Sequence, residues 1–282
     1  MSENFGSPGQ IQPLSVGNVV SAAVRLYRSH LKDYFLLALK AYVWVLVPVY
    51  GWAKFYALSA LISRLAFGEL VNQPESISSG ERYVNSRLWQ FLVTMLLMLL
   101  ISIGIGLGVV VLFVLFGFLS AFVGLGQQGN PATSILIIIF TIVVSIVAVV
   151  AVFWLLTRFY LVDVPLAIED NINGVSTISR SWELTQGHVW RILSISFVAF
   201  LITIPAQIAL QIISTVIQVI FLPLINENST IFSPILIVLI LAFSFSTGAI
   251  ILPFWQAIKA VIYYDMRSRR EGLGLQLRDR KI

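Results

Sequence analysis

The chain has 282 residues, of which 58% are hydrophobic and 11% are charged. Soluble domains carry about 25% charged residues, so this composition excludes an ordinary soluble protein. The sequence contains no cysteine and only two histidines, which excludes disulfides and thiolate metal sites and leaves little for a catalytic triad.

The first 32 residues predict a disordered end followed by an amphipathic helix. Residues 1–13 are polar and lack the apolar core of a cleavable signal peptide. Six apolar residues of the next segment share one helix face, namely Val16, Val20, Ala23, Val24, Tyr27 and Leu31. Arg25 and Arg28 fall on the opposite face. A helix of this kind lies in the headgroup plane, so both arginines are candidate ligands of anionic lipid headgroups.

The region 34–67 is apolar but carries Lys40 and Lys54. It is too long for a single span. A hairpin that bends at Pro48–Gly51 has two arms of about 17 residues, the lower limit for crossing a bilayer. A re-entrant segment, which enters and leaves the membrane on the same side, is the alternative.

Four further spans follow from stretches without charge. No charged residue or histidine lies from Leu88 to Thr157, and this stretch is long enough for two spans of about 20 residues each. Two more charge-free stretches run from Ile192 to Asn226 and from Asn228 to Ile258. We therefore predict helices at about 88–121, 133–161, 191–222 and 233–263, with turns at 122–134 and 223–232.

The distribution of basic residues predicts the orientation of the spans. The two predicted turns contain no lysine or arginine, whereas the segments 14–32, 64–87 and 163–191 and the C-terminal tail are basic. The positive-inside rule places these four basic regions in the cytoplasm, which requires region 34–67 to return to the side it left. We therefore expect about six membrane helices arranged as three hairpins, with both termini cytoplasmic.

A short segment of similar character precedes each predicted hairpin. Each of the three begins with Ser or Gly, carries basic residues and an aromatic residue, and runs into the membrane. They predict three repeats, at about 14–67, 76–165 and 174–265, within one membrane domain over 14–271 that is followed by a basic tail over 272–282. The fold class is therefore an all-α polytopic membrane protein in which a cytoplasmic in-plane amphipathic helix precedes each hairpin.

Three motifs resemble a bacterial membrane family. They are LSVGNVVSAAVRLYRSH near the start, the run from Arg158 to Glu169 followed by RSWELTQGHVWRIL, and YYDMRSRREGL from Tyr263. Together they resemble the family named for the membrane domain of glycerophosphoryl diester phosphodiesterase, in which a catalytic barrel sometimes follows the membrane domain. We expect no barrel here, so the resemblance implies location in the bacterial inner membrane or another internal bacterial membrane without implying the reaction.

Three basic residues stand inside apolar runs, one in each predicted repeat. Lys40, Arg158 and Lys259 each lie a few residues from an aspartate at the cytoplasmic end of the run. Charge within a membrane is costly and often functional, so we predict that these side chains bind lipid headgroups. Their similar depth suggests that they gather near the cytoplasmic leaflet. The alternative is snorkelling, in which long side chains near a helix end reach the headgroups without a specific site.

A polar stripe follows the predicted helix 191–222. Six polar residues occupy one sector of this helix, namely Ser196, Thr203, Gln207, Gln211, Ser214 and Gln218. The stripe predicts either the lining of a polar pathway or hydrogen bonds between helices. In another predicted helix Gly104 and Gly108 form a GxxxG pair, which is typical of close helix packing.

The acids and histidines are too scattered to hold a metal or to support hydrolysis, so we expect no metal, no cofactor and no enzyme activity. The preferred hypothesis is a lipid-interacting or scaffold protein of a bacterial membrane. Its expected partners are anionic membrane lipids, and no nucleic acid is expected. One alternative is a transporter or lipid translocator with the polar stripe as its pathway. Another is a membrane partner of a separate phosphodiesterase. The sequence identifies no protein partner.

Overall fold

The computed structural model of the chain describes residues 15–126, 131–226 and 232–272. In these residues the chain forms ten helices and no strand, which confirms the all-α prediction. The helices are α1 (Val16–Ser29), α2 (Leu31–Trp44), α3 (Tyr50–Leu70), α4 (Ile77–Ser86), α5 (Leu88–Gly126), α6 (Pro131–Arg158), α7 (Asp163–Ile168), α8 (Ser176–Thr185), α9 (Val189–Asn226) and α10 (Phe232–Glu271). The predicted disordered segment 1–13 and the tail beyond residue 272 lie outside the described residues.

Four helical segments are long and apolar enough to cross a membrane, which indicates a membrane-embedded protein. Within the described ranges these candidate spans are Leu88–Phe122, Pro131–Ile168, Val189–Ile217 and Val238–Glu271. They coincide with the four predicted charge-free helices and confirm them. The two predicted turns fall partly on residues 127–130 and 227–231, which lie outside the described part of the chain.

The helix α5 is longer than a bilayer requires. It has 39 residues, which at about 1.5 Å per residue gives a length of about 58 Å. The hydrocarbon core of a bilayer is about 30 Å thick, so α5 tilts strongly or extends into the headgroup region and water.

The helices α2 and α3 occupy the region 34–67. From the sequence alone, this region is either a hairpin or a re-entrant segment. The two helices pack against each other and are joined by a turn over residues 45–49, which overlaps the predicted bend. Neither is among the four candidate spans. The helix α2 has only 14 residues, and α3 carries Lys54, Arg64 and Glu69.

The helix α3 lies at the centre of the fold. Ala57, Leu58, Ala60, Leu61 and Ile62 are fully buried, and α2, α4, α5, α7 and α10 surround the helix. Its many small residues let the neighbouring helices approach its backbone closely. The packed body therefore forms around α3, and the long helices extend from it.

The helix α1 packs against α9 and α10. Val19, Val20 and Ala23 on its apolar face are buried, whereas Arg25 and Arg28 are exposed. This burial follows the amphipathic pattern of the sequence. A short helix likewise precedes each of the other helix pairs, α4 before α5 and α6, and α8 before α9 and α10. The bounds of the three repeats and the number of six membrane helices stay predictions.

The outer parts of α5 and α6 expose large apolar side chains. Leu115, Phe118 and Phe122 are 64%, 73% and 79% exposed. A continuous apolar surface of this kind suits lipid tails and not water. On the same helix, Cβ atoms built at Gly104 and Gly108 would meet nothing within 4 Å. The close packing predicted for this glycine pair is therefore not made by the described residues of this chain.

Candidate functional site

Two of the three embedded basic residues are neutralised by carboxylates. The Lys40 ammonium donates to both oxygens of Glu81, at 2.7 and 2.8 Å. The Lys259 ammonium lies 2.9 Å from both oxygens of Asp163, whose residue is only 2% exposed. These carboxylates come from α4 and α7, so Lys40 and Lys259 bind different elements and do not share one pocket.

The Lys259–Asp163 pair extends into a hydrogen-bond chain that joins three helices. Gln256 Nε2 on α10 donates to Asp163 Oδ2 at 3.1 Å, and Ser63 Oγ on α3 donates to Gln256 Oε1 at 2.6 Å. The side chains of Ser63, Gln256, Asp163 and Lys259 therefore satisfy one another, which a low-dielectric interior requires. The chain fixes α7 and α10 against the central helix.

Arg158, the third embedded basic residue, has a different environment. The residue is 5% exposed, and its guanidinium carbon lies 4.1 Å from the ring centroid of Trp182 and 5.3 Å from that of Trp154. Its Nη1 makes one long hydrogen bond of 3.4 Å to Thr185 Oγ1, and its Nε has no partner in the described structure. Within the described residues, no carboxylate forms a salt bridge with Arg158. Burial and ring stacking hold the guanidinium in place without neutralising its charge.

Two tryptophans flank this arginine, Trp154 and Trp182. Their rings meet edge to face with centroids 5.7 Å apart. Tryptophan is enriched where a membrane protein passes from hydrocarbon to headgroups. The tryptophans around Arg158 are therefore typical of headgroup depth.

The end of α7 is closed by Arg87, a residue that sequence reasoning did not single out. Its Nη1 donates to the carbonyl oxygens of Leu166 and Glu169, both at 2.8 Å, and its Nη2 contacts the carbonyl of Ile172. The last carbonyls of a helix have no partner within that helix. Arg87 therefore satisfies them and joins the α4–α5 junction to α7.

A second charge cluster joins α8 to the C-terminal end of α10. Arg180 Nε donates to Glu169 Oε1 at 3.1 Å, and its Nη2 contacts Glu271. Tyr263 Oη donates to the same Glu169 oxygen at 2.5 Å. Burial alone would lower the pKa of Arg180, but Glu169 and Glu271 outweigh it and raise this pKa above its usual value. The cluster is internally paired, so it holds the body together.

An apolar groove lies between α6, α9 and α10. Its volume is about 900 Å³, and its lining includes Phe153, Leu156, Phe197, Val198, Phe200 and Trp255. The polar groups that reach it include Tyr160 and Ser196. The Tyr160 hydroxyl is buried and makes no hydrogen bond of normal length with the described residues. The sequence pattern does not predict this groove, because its walls come from three distant segments.

The polar stripe of α9 does not form one continuous lining. Ser196 lies at the groove, and Thr203 is 5% exposed. Gln207 Nε2 donates to Thr203 Oγ1 within the same helix at 2.7 Å, while Gln211 is exposed and Ser214 is half-buried. The side chain of the last member, Gln218, lies outside the described part.

The two arginines of α1 lie at the surface, apart from the groove. Arg25 borders a cleft of about 610 Å³ that also includes Asn18 and Ile202, and Arg28 stands in the last turn of the helix. Over the described ranges, no group of three or more histidine, aspartate or glutamate side chains could hold a metal ion.

Comparison with known proteins assigns a family. A family model described as a domain of unknown function (DUF7847) matches residues 75–266. This is more than half of the chain, so the chain belongs to that family. No curated protein and no solved structure matches the chain. The matched residues include Arg158 and the groove, and the resemblance to the membrane domain of glycerophosphoryl diester phosphodiesterase stays a prediction.

Proposed function

We propose that this member of the DUF7847 family is a non-enzymatic membrane protein that binds a lipid of the cytoplasmic leaflet. The groove between α6, α9 and α10 carries the proposal. Its volume of about 900 Å³ falls in the range of about 300–1,000 Å³ that is typical of small-molecule sites. Because its walls belong to three candidate spans and are apolar, the groove favours a lipid chain over a water-soluble ligand.

The polar groups of the groove fit the ester region of a glycerolipid. The Tyr160 hydroxyl is buried and makes no hydrogen bond of normal length with the described residues, and the Ser196 hydroxyl beside it reaches the same space. A buried hydroxyl without a partner is unfavourable, so an occupant that accepts a hydrogen bond stabilises it. The ester carbonyl of a glycerolipid is such an acceptor, and the acyl chain beyond it matches the apolar walls.

The proposal places six helices in a bacterial inner membrane, with α2 and α3 as a short hairpin. The packing of α2 on α3 and the turn at 45–49 support a return to the side of entry. The basic connections around α1, α4 and α8 support a cytoplasmic location for that side and for both termini. The bacterial membrane is inferred from the family resemblance of the motifs.

Single introduced cysteines test this topology. Ser78→Cys and Val175→Cys should react with a membrane-impermeant maleimide only when the cytoplasmic side is accessible, because both lie on basic connections and are exposed. Ser134→Cys, near a turn without basic residues, should react from the opposite side and serves as the control. The chain has no cysteine of its own, so background labelling is absent. Labelling of Ser78→Cys from the same side as Ser134→Cys would contradict the α2–α3 hairpin.

A variant that fills the groove tests lipid binding. Ser196→Trp should lower the fraction of purified protein that retains a lipid about tenfold, which corresponds to about 1.4 kcal/mol, because the indole occupies the space of the acyl chain. The measurement is native mass spectrometry of the detergent-extracted protein. Ile208→Trp adds the same side chain to α9 at a position that is 54% exposed, and should leave retention unchanged. Equal retention by the two variants would overturn the proposal.

The transporter alternative receives less support from the side chains. A pathway along α9 requires the stripe to face water, whereas Gln207 is bonded to Thr203 within the helix. Such a bond is typical of polar groups that are satisfied locally in a membrane helix. The alternative of a membrane partner for a separate phosphodiesterase rests on the family resemblance alone.

A further inference from the structure

We propose that Arg158 binds the phosphate of an anionic phospholipid, so that the protein selects its lipid by headgroup charge. This inference rests on the proposed lipid-binding function, and it adds the chemical class of the ligand and the residue that recognises it. Four observations carry it: the burial of Arg158, its lack of a described carboxylate partner, its fixed orientation and a second cation nearby.

Burial without a counterion distinguishes Arg158 from Lys40 and Lys259. Lys54, which is 8% exposed and lies over Trp44, is likewise a buried cation without a described carboxylate partner. Lys40 and Lys259 are held by Glu81 and Asp163, whereas Arg158 is 5% exposed and has no described carboxylate partner. A buried charge without an opposite charge is strongly unfavourable. An anion that enters from the headgroup layer removes this penalty, so the ligand is negatively charged.

The geometry of the guanidinium suits a phosphate. The guanidinium carbon lies 4.1 Å from the ring centroid of Trp182, and Nη1 donates to Thr185 Oγ1 at 3.4 Å. The Nε–H remains unbonded in the described structure. An arginine fork presents parallel N–H donors to two oxygens of one phosphate, which a lysine or a glutamine does not do.

Arg270 adds a second positive charge beside this position. Its Nη2 donates to the Gln186 carbonyl at 2.8 Å. Gln186 follows Thr185 in the chain, and Thr185 is the residue that Arg158 contacts. Arg270 is exposed, so it attracts an anion from the headgroup layer while Arg158 holds it. Basic positions between helices on the cytoplasmic side are typical sites of anionic lipid headgroups.

Headgroup selectivity after reconstitution into vesicles tests the inference. The protein is reconstituted into vesicles of equal amounts of phosphatidylglycerol and phosphatidylcholine, and it is then extracted for native mass spectrometry. It should retain about tenfold more phosphatidylglycerol than phosphatidylcholine. Arg158→Gln should abolish this preference while still retaining phosphatidylcholine in the groove. Arg158→Lys should restore only part of it, because the charge returns without the fork. Arg82→Gln removes an exposed cation of α4 and should leave the preference intact.

The outcomes separate this inference from the proposed function. If the wild-type protein retains neither lipid, or if Ser196→Trp retains both normally, the proposed lipid binding fails. If lipid is retained but Arg158→Gln keeps the preference for phosphatidylglycerol, the assignment of Arg158 is overturned. A free anion is the other source of phosphate: displacement of the bound lipid by millimolar inorganic phosphate, with no headgroup preference, would also overturn it. Unchanged thermal midpoints of the variants show that they remain folded.

Discussion

Replacing Asp163 by Asn should lower the free energy of unfolding by about 3–5 kcal/mol, because it leaves the Lys259 charge without its partner inside the fold. Asp163 is 2% exposed, and both of its oxygens lie 2.9 Å from the Lys259 ammonium. The substitution keeps the shape of the side chain, so the loss reports the charge. The loss in the free energy of unfolding is measured in detergent by titration with SDS, and the thermal midpoint gives a second measure.

Two further variants separate the ion pair from general damage to this segment. Asp170→Asn removes a nearby carboxylate that is exposed, and should change the stability by no more than about 0.5 kcal/mol. Asp163→Asn combined with Lys259→Gln removes both charges and should recover most of the loss. A single variant as stable as the wild-type protein would show that the pair does not hold α7 against α10.

Replacing Gly51 by Ala should disrupt the α2–α3 turn. An added Cβ would lie 1.9 Å from the Trp44 carbonyl oxygen and 2.8 Å from the Val47 Cβ. Overpacking costs about 1–3 kcal/mol and more where the neighbour cannot move, and here the nearest atom is backbone at the end of α2. We therefore expect a loss at or above the upper end of this range, measured by the thermal midpoint in detergent.

Gly104→Ala is the matched control for that substitution. The Cβ at this position of α5 would meet nothing within 4 Å, and alanine favours a helix by up to about 1 kcal/mol over glycine. It should therefore leave stability unchanged or raise it slightly. If both substitutions are equally tolerated, the close approach of α2 to α3 at Gly51 is wrong.

The four long helices could be predicted from the sequence because their signal is local. A span of apolar residues without charge is recognised from composition alone, and the helix α5 begins at Leu88, the first residue of the predicted span. The same holds for the buried face of α1, since Val20 and Ala23 follow a helical period. The helix α7 was not predicted, because six residues are too short to show a period.

The partners of the embedded basic residues could not be predicted, because they lie far along the chain. Similar depth in the sequence suggested that Lys40, Arg158 and Lys259 gather in one place. In the structure Lys40 meets Glu81 and Lys259 meets Asp163, 41 and 96 residues away. Nothing local in a sequence encodes such contacts. The difference between Arg158 and these two lysines is therefore visible only in the structure.

The groove could not be predicted from the sequence either, although two of its residues belong to patterns that the sequence shows. Tyr160 belongs to the quoted motif after Arg158, and Ser196 belongs to the polar stripe of α9. Their proximity arises because α6 packs against α9, and α10 closes the third side with Trp255. A hydroxyl in an apolar run is the signal that could have pointed to this place.

A structure of the protein in a lipid nanodisc tests the central claim most directly, because it shows what occupies the groove. We expect elongated density between α6 and α9 that contacts Phe197 and Trp255, with its polar end at the Tyr160 hydroxyl. A groove that is closed by direct packing of α6 against α9, with no density between them, would contradict the account.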